Sequence, residues 1–271
     1  MTTLPRFLHQ NVGRLRSRMG KVFLGERVVF RGKDLHADLK DMGWLELYLF
    51  SVTGRRFTAE QLRLMQAIWV YTSYPDARIW NNRVAAFAGS TRSTSGLGIT
   101  GALALMEAHI YGGGNAVQAI SFFLETRKRL EAGGTLDDCI RREMATYRRI
   151  AGYGRPLINA DERIGPLLAL AETVRLADGP HVKLAYAVEG FLRDSGRNLG
   201  MTYGGLTAAL GADLGLSPSE FCMFKFPCIL AGIPPCYIES VENPEGSLFP
   251  LPCANIIYEG VEKRRWPSVA P

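Results

Sequence analysis

Tyr111-Gly112-Gly113-Gly114-Asn115 runs directly into Ala116-Val117-Gln118-Ala119-Ile120-Ser121-Phe122-Phe123. Three consecutive glycines lose too much backbone entropy to lie inside a helix, so they read as a turn or hinge. The apolar residues behind them recur at helical intervals. Upstream, Ala85 to Ala108 is dense in Ala, Gly, Ser and Thr, whose small side chains let helices approach closely. Downstream, Thr135-Leu136-Asp137-Asp138 opens a helix to about Arg149, with carboxylates in its first turn and arginines in its last, as the helix dipole favours. A second glycine break, Ala151-Gly152-Tyr153-Gly154-Arg155-Pro156, ends it.

The same grammar extends to both ends of the chain. Trp44-Leu45-Glu46-Leu47-Tyr48-Leu49-Phe50 is an apolar helix closed by Thr53-Gly54, and Thr58-Ala59-Glu60-Gln61 has the spacing of a capping box. Helices resume near Asp161 and Val182, and Ser217-Pro218-Ser219-Glu220 is a second capping box with proline at the first helical position. Residues 22–31, rich in Val and Phe around Gly25-Glu26, predict a short hairpin. Pro244, Pro250, Pro252, Pro267 and Pro271 predict an extended tail. The fold class is all-α, with ten or eleven helices.

Composition narrows the function classes. The 271 residues are 47% hydrophobic and 21% charged, with 32 Lys+Arg against 26 Asp+Glu, a formal charge of +6. A chain of this size buries about three quarters of its unfolded surface, enough for a core without staples. Five cysteines without a CxxC pair and four scattered histidines argue against a disulfide framework and a metal site. Basic and acidic residues alternate, as in Glu125-Thr126-Arg127-Lys128-Arg129, so no nucleic-acid partner is expected, whereas a small polyanion is. No uninterrupted apolar run approaches the about 18 residues of a membrane span, and the first residues lack a signal-peptide apolar region, so the expected location is cytoplasmic, without a membrane.

Chemistry is to be sought at the glycine breaks, where backbone amides become free and a helix N-terminus can take an anion. Gly112-Gly113-Gly114-Asn115 is one such loop. Gly152-Tyr153-Gly154-Arg155 is the other, adding a guanidinium and followed by Asp161-Glu162-Arg163.

The order of these pieces resembles the citrate synthase superfamily, especially the citryl-CoA lyases and the C-terminal module of ATP-citrate lyase. The resemblance spans roughly residues 25 to 266. Leu45 to Gly54 is similar to the family's "LxxLLxTG" helix, Arg83 to Ser90 to "ARVVAST", and Tyr111-Gly112-Gly113-Gly114-Asn115 stands where the family has "HGGAN". Gly152-Tyr153-Gly154-Arg155-Pro156-Leu157 with Asp161-Glu162-Arg163 resembles "GFGHPLY…DPR". Asn198 to Gly215 resembles "NVDGYTAALLLDLG", and Ile257-Tyr258-Glu259-Gly260 the terminal "YTGP".

The resemblance implies a large helical domain, 1–112 with 205–271, and a smaller inserted helical domain, 113–204, that closes on an acyl-CoA. It also implies a homodimer and a reaction that makes or breaks a carbon–carbon bond between a coenzyme A thioester and a small carboxylic acid, with no metal. The family's catalytic His, His and Asp are replaced by Tyr111, Arg155 and a glycine, which is Gly200 or Gly204 according to register. Tyr111 can donate to a thioester oxygen and Arg155 can hold a carboxylate or alkoxide, but an arginine cannot act as a base. His109 and Tyr203 are the further catalytic candidates. Arg163 matches the carboxylate-holding arginine of "DPR". Asn81 and Asn82 flank Trp80, which replaces a histidine of ATP-citrate lyase. With Gly112, Gly113, Gly114, Asn115 and Gly154 they complete the expected substrate-binding set. An inactive homologue that binds CoA or a protein is the competing expectation.

Overall fold

The computed structural model describes residues 4–108, 112–155, 161–197, 199–248 and 251–262. Among them lie twelve α-helices, a three-stranded antiparallel sheet and two short 3-10 segments. The chain divides into two compact units, Met1–Tyr74 with Leu103–Gly232, and Pro75–Ala102 with Ile233–Pro271. The segment 113–204 lies wholly within the first.

The first unit begins with α1 (Leu4–Asn11) and the strands β1 (Gly20–Phe23), β2 (Arg27–Phe30) and β3 (Lys33–Asp34). The expected hairpin is present, and β3 adds a third strand through Val29↔Asp34 and Phe30↔Lys33. Helix α2 (Trp44–Thr53) stops at Gly54, whose amide donates to the Phe50 carbonyl. Helix α3 (Ala59–Thr72) starts on the full Thr58/Gln61 capping box.

Helices α6 (Gly113–Glu131), α7 (Leu136–Tyr147), α8 (Ile164–Thr173), α9 (Pro180–Asp194), α10 (Tyr203–Asp213) and α11 (Pro218–Lys225) complete the unit. Their apolar faces build one core from Leu64, Ile68, Ile120, Phe123, Leu167, Val188, Leu206 and Phe221, all essentially inaccessible to water. Two details of the sequence reading change. Helix α7 ends earlier, at left-handed Arg148, with no arginine in its last turn. Of the three glycines, only Gly112 is a turn residue; Gly113 and Gly114 are already in α6. A helix tolerates them because its first turn makes no intrahelical amide bonds, and the Gly113 amide donates instead to the Met106 carbonyl at 2.7 Å.

The second unit is organised by α4 (Trp80–Ser90) and α12 (Ile233–Glu242), with most of α5 (Ser95–Ala104) beside them. Small residues do here what their density predicts. A Cβ on Gly89 would lie 2.5 Å from the Tyr237 carbonyl oxygen, so the helices touch backbone to side. Arg92 then closes the end of α12, donating from Nη1 to the Ser240 carbonyl at 3.0 Å and from Nη2 to that of Asn243 at 2.8 Å. Among the described residues after Glu242, only the 3-10 turn Cys253–Asn255 is regular.

The 25-residue helical run Pro218–Glu242 contains an 18-residue window of mean hydropathy 1.5, the length and composition of a membrane span although charges interrupt the run. Phe221, Phe224, Cys228, Ile233 and Cys236 from this run are buried in protein.

Candidate functional site

Four elements of the first unit meet at the second glycine break. Thr202 is the hinge of the arrangement: its amide and its hydroxyl both donate to the Gly152 carbonyl, at 2.8 and 3.0 Å. Tyr153 and Met201 form an antiparallel bridge, and the Gly154 amide donates to the Gly200 carbonyl at 2.9 Å. The loop 152–155 is thereby stapled to the segment that leads into α10. The staple needs two glycines facing each other, because a Cβ on Gly205 would lie 2.5 Å from the Gly152 oxygen and one on Gly152 would lie 2.7 Å from the Gly205 Cα.

The turn before α8 docks on the same helix end. The Asp161 carboxylate accepts the Tyr203 amide at 2.9 Å and grips Arg163 at two points, Nε to Oδ1 and Nη2 to Oδ2, both 2.8 Å. Burial pushes the Asp161 carboxyl up, but the Arg163 guanidinium and the Tyr203 amide outweigh it and hold the group below its ordinary value. Arg163 uses only part of its donor fork on this pair; among the described residues its Nη1 carries no hydrogen bond. Its guanidinium lies 4.5 Å from the Tyr203 ring centre and 5.5 Å from that of Tyr74.

Arg155 extends the cluster outward. Its Nη1 meets Glu162 Oε2 at 2.7 Å, and the Tyr74 hydroxyl donates to Glu162 Oε1 at 3.1 Å. With the Arg155 guanidinium as first cause, the Glu162 carboxyl is lowered to about 2.

The cluster contains a cation that composition and periodicity missed. Lys225, in the last turn of α11, is half-buried and places Nζ 5.4 Å from the Tyr203 ring centre. The signal was present as a lone lysine inside the apolar run Phe221-Cys222-Met223-Phe224-Lys225-Phe226.

Helix α11 also reaches the first glycine break. A Cβ on Gly113 would contact Cys222 Sγ at 3.6 Å, and Cys222 lies one helical turn before Lys225. At Gly112, φ is +81° and a Cβ would collide with the Met106 carbonyl oxygen, so glycine is required. The start of α6 and the Arg155–Arg163 cluster are thus joined by one eight-residue helix.

The remaining candidates fall elsewhere. His109 and Tyr111 lie outside the described residues. Asn81 and Asn82 are in the second unit, both buried; Asn81 Nδ2 donates to Asn82 Oδ1 and Asn82 Nδ2 to the Asp76 carbonyl, each at 3.1 Å, while among the described residues Asn81 Oδ1 has no partner. The Tyr203 hydroxyl, proposed to move a proton, donates to the Ile68 carbonyl at 3.0 Å, and burial drives its pKa far up. Tyr153 is similarly committed, to the Ala185 carbonyl at 2.7 Å. His181 Nδ1 is 2.7 Å from Asp213, whose carboxylate also accepts the first amides of α9, a helix-capping arrangement.

No protein-family model matches the sequence, and no curated protein does. Solved structures do match. Citryl-CoA lyase from Hydrogenobacter thermophilus superposes with a TM-score of 0.80 at 19% identity, over 93% of this chain and 97% of that one. The chain has a citrate synthase-type fold. ATP citrate lyase from Methanothrix soehngenii, solved with citrate and coenzyme A, gives 0.71 at 18% identity over 97% of this chain and 45% of its own. Citrate synthase from Thermoplasma acidophilum, solved with carboxymethyl coenzyme A and oxaloacetate, gives 0.65 at 18% over 84% and 59%.

Proposed function

We propose that the protein is an acyl-CoA-dependent enzyme of the citrate synthase and citryl-CoA lyase type. It makes or breaks a carbon–carbon bond between a thioester and a keto acid or 2-hydroxy polycarboxylate. The observation that carries this reading is the convergence of Arg163 and Lys225 on Tyr203 at the head of α10, with the Arg155–Glu162 pair beside Arg163 and the glycine-initiated helix α6 joined to them through α11. Two guanidinium groups face the two carboxylates Asp161 and Glu162, and the Lys225 amine beside them has no carboxylate partner among the described residues, an arrangement suited to a substrate carboxylate.

In this reading Arg163 and Arg155 hold the acid, the first-turn amides of Gly114 and Asn115 cradle an anionic group in loops shaped by Gly112, Gly113 and Gly154, and Tyr111 donates to the thioester oxygen, with His109 as a further catalytic candidate. Tyr203 supplies its ring as a platform for cations. In the second unit, Asn81 Oδ1 is a buried acceptor without a partner among the described residues, next to Asn82. The enzyme works as a cytoplasmic homodimer, needs no metal, and closes residues 113–204 over its substrate.

Calorimetric titration with CoA and acetyl-CoA, each with and without oxaloacetate and at two salt concentrations, tests the assignment. Saturable binding that weakens with salt is the expected result. Absence of binding to every ligand would exclude it. A second reading, a catalytically inactive homologue that binds CoA or a protein, is favoured by the Glu162 partner that Arg155 already holds. It predicts binding without turnover.

A further inference from the structure

Lys225 is the least explained charge in the molecule. Its helix is fixed from both sides, by the Trp69 indole donating to the Phe224 carbonyl at 2.9 Å and the Tyr48 hydroxyl donating to that of Met223 at 2.6 Å. Its amine shares the Tyr203 ring with the Arg163 guanidinium, and among the described residues only Arg163 of the two has a carboxylate partner. Thr72 donates to the Ile68 carbonyl at 2.6 Å, and burial raises the Cys228 thiol pKa. Burial lowers the Lys225 pKa; Cys228, which shares a hydrogen bond with its amine, opposes the shift, and the Arg163 guanidinium adds to it. A desolvated lysine beside a second cation is the environment that makes an amine nucleophilic at neutral pH.

We propose that Lys225 is an imine-forming residue: its amine condenses with the ketone of a 3-oxo acid whose carboxylate is held by the free Nη1 side of Arg163, and the imine drives decarboxylation. The inference rests on the carboxylate half of the proposed site and not on its CoA half. The nitrogen lone pair forms a bond to the ketone carbon, the oxygen takes one proton from the amine and one from solvent and leaves as water, and a C=N⁺ iminium remains. The bond to the β-carboxylate then breaks, CO2 departs, and its electron pair passes into the enamine. Protonation of the enamine carbon and hydrolysis return the amine and a shortened ketone, with no change of oxidation state that needs a second reagent. Loss of CO2 in place of a proton generates the carbon nucleophile without a general base. That fits a chain in which both registers place glycine where the family has its aspartate.

The test is trapping in the full chain. Protein incubated with oxaloacetate, cyanoborohydride and a metal chelator is expected to gain one reduced adduct, mapped by peptide mass spectrometry to Lys225. CO2 release above the solution rate is expected to fall at least tenfold in Lys225→Arg, which keeps the cation on the ring but cannot form an imine. An adduct on another lysine, or none while calorimetry still shows oxaloacetate bound, would overturn the imine and leave Lys225 a charge for carboxylate binding. Absence of oxaloacetate binding would overturn the carboxylate site itself.

Discussion

Asp161 and Arg163, two residues apart, close a two-point ion pair of 2.8 Å bonds while the same carboxylate takes the Tyr203 amide at 2.9 Å. One buried carboxylate therefore aims the guanidinium at the ring and ties the turn before α8 to the start of α10. Asp161→Asn should leave Arg163 as a partly buried charge without compensation, at a cost of about 3 kcal/mol. Urea unfolding measures this directly. A loss below about 1 kcal/mol would mean the pair behaves as an exposed one.

The Arg155–Glu162 pair should show itself in acid. Glu162 titrates near about 2 in the folded chain because the Arg155 guanidinium bonds its ionised form; an unfolded glutamate titrates near about 4.3. A depressed folded pKa contributes stability that is complete above the unfolded value and lost as pH falls through the folded one, so the window runs from about 4.3 down to about 2. Carboxyl NMR of Glu162 is expected to give a midpoint well under 3.5, returning towards 4.3 in Arg155→Ala. An unshifted midpoint in the parent chain would remove the pair.

Tyr203→Phe separates the ring from the hydroxyl. The ring carries Arg163 and Lys225, while the hydroxyl only adds a donor to the Ile68 carbonyl, which also receives the Thr72 hydroxyl. The substitution should cost about 1 kcal/mol of stability and leave carboxylic-acid affinity and turnover within twofold. A tenfold loss of turnover at unchanged affinity would instead give the hydroxyl a role in the reaction.

Local chemistry was legible wherever a few adjacent residues decide the outcome. The capping boxes at Thr58 and Ser217, the end at Gly54 and the close packing around Gly89 all appear where the sequence puts them. The boundary at Gly113 was misplaced because entropy argues against glycine in a helix interior, yet the first turn is not an interior. Arg155, Arg163 and Tyr203 are singled out by the order of motifs. Lys225 was missed because its meaning depends on Tyr203, 22 positions earlier, and on burial that no local pattern encodes. The Tyr203 hydroxyl was overvalued for the same reason: its partner, Ile68, is remote in sequence.

Gly204 and Gly205 are adjacent in the first turn of α10 and should respond in opposite senses to the same change. At Gly204 a new Cβ would meet nothing nearer than the Thr202 hydroxyl oxygen at 3.4 Å, so Gly204→Ala removes backbone freedom from the unfolded chain and should be neutral or stabilising by about 0.5 kcal/mol. At Gly205 the Cβ would press to 2.5 Å of the Gly152 oxygen, the acceptor on which Thr202 hangs the whole 152–155 loop. Relief requires the loop to lift, which loosens the Gly154–Gly200 bond and displaces Arg155 from Glu162. Gly205→Ala should thus cost about 2 kcal/mol and weaken carboxylic-acid binding at least tenfold, although it touches no ligand. Thermal unfolding and oxaloacetate titration of the two variants side by side provide the check. Equal behaviour at both positions would show that the glycine contact does not hold the loop in place.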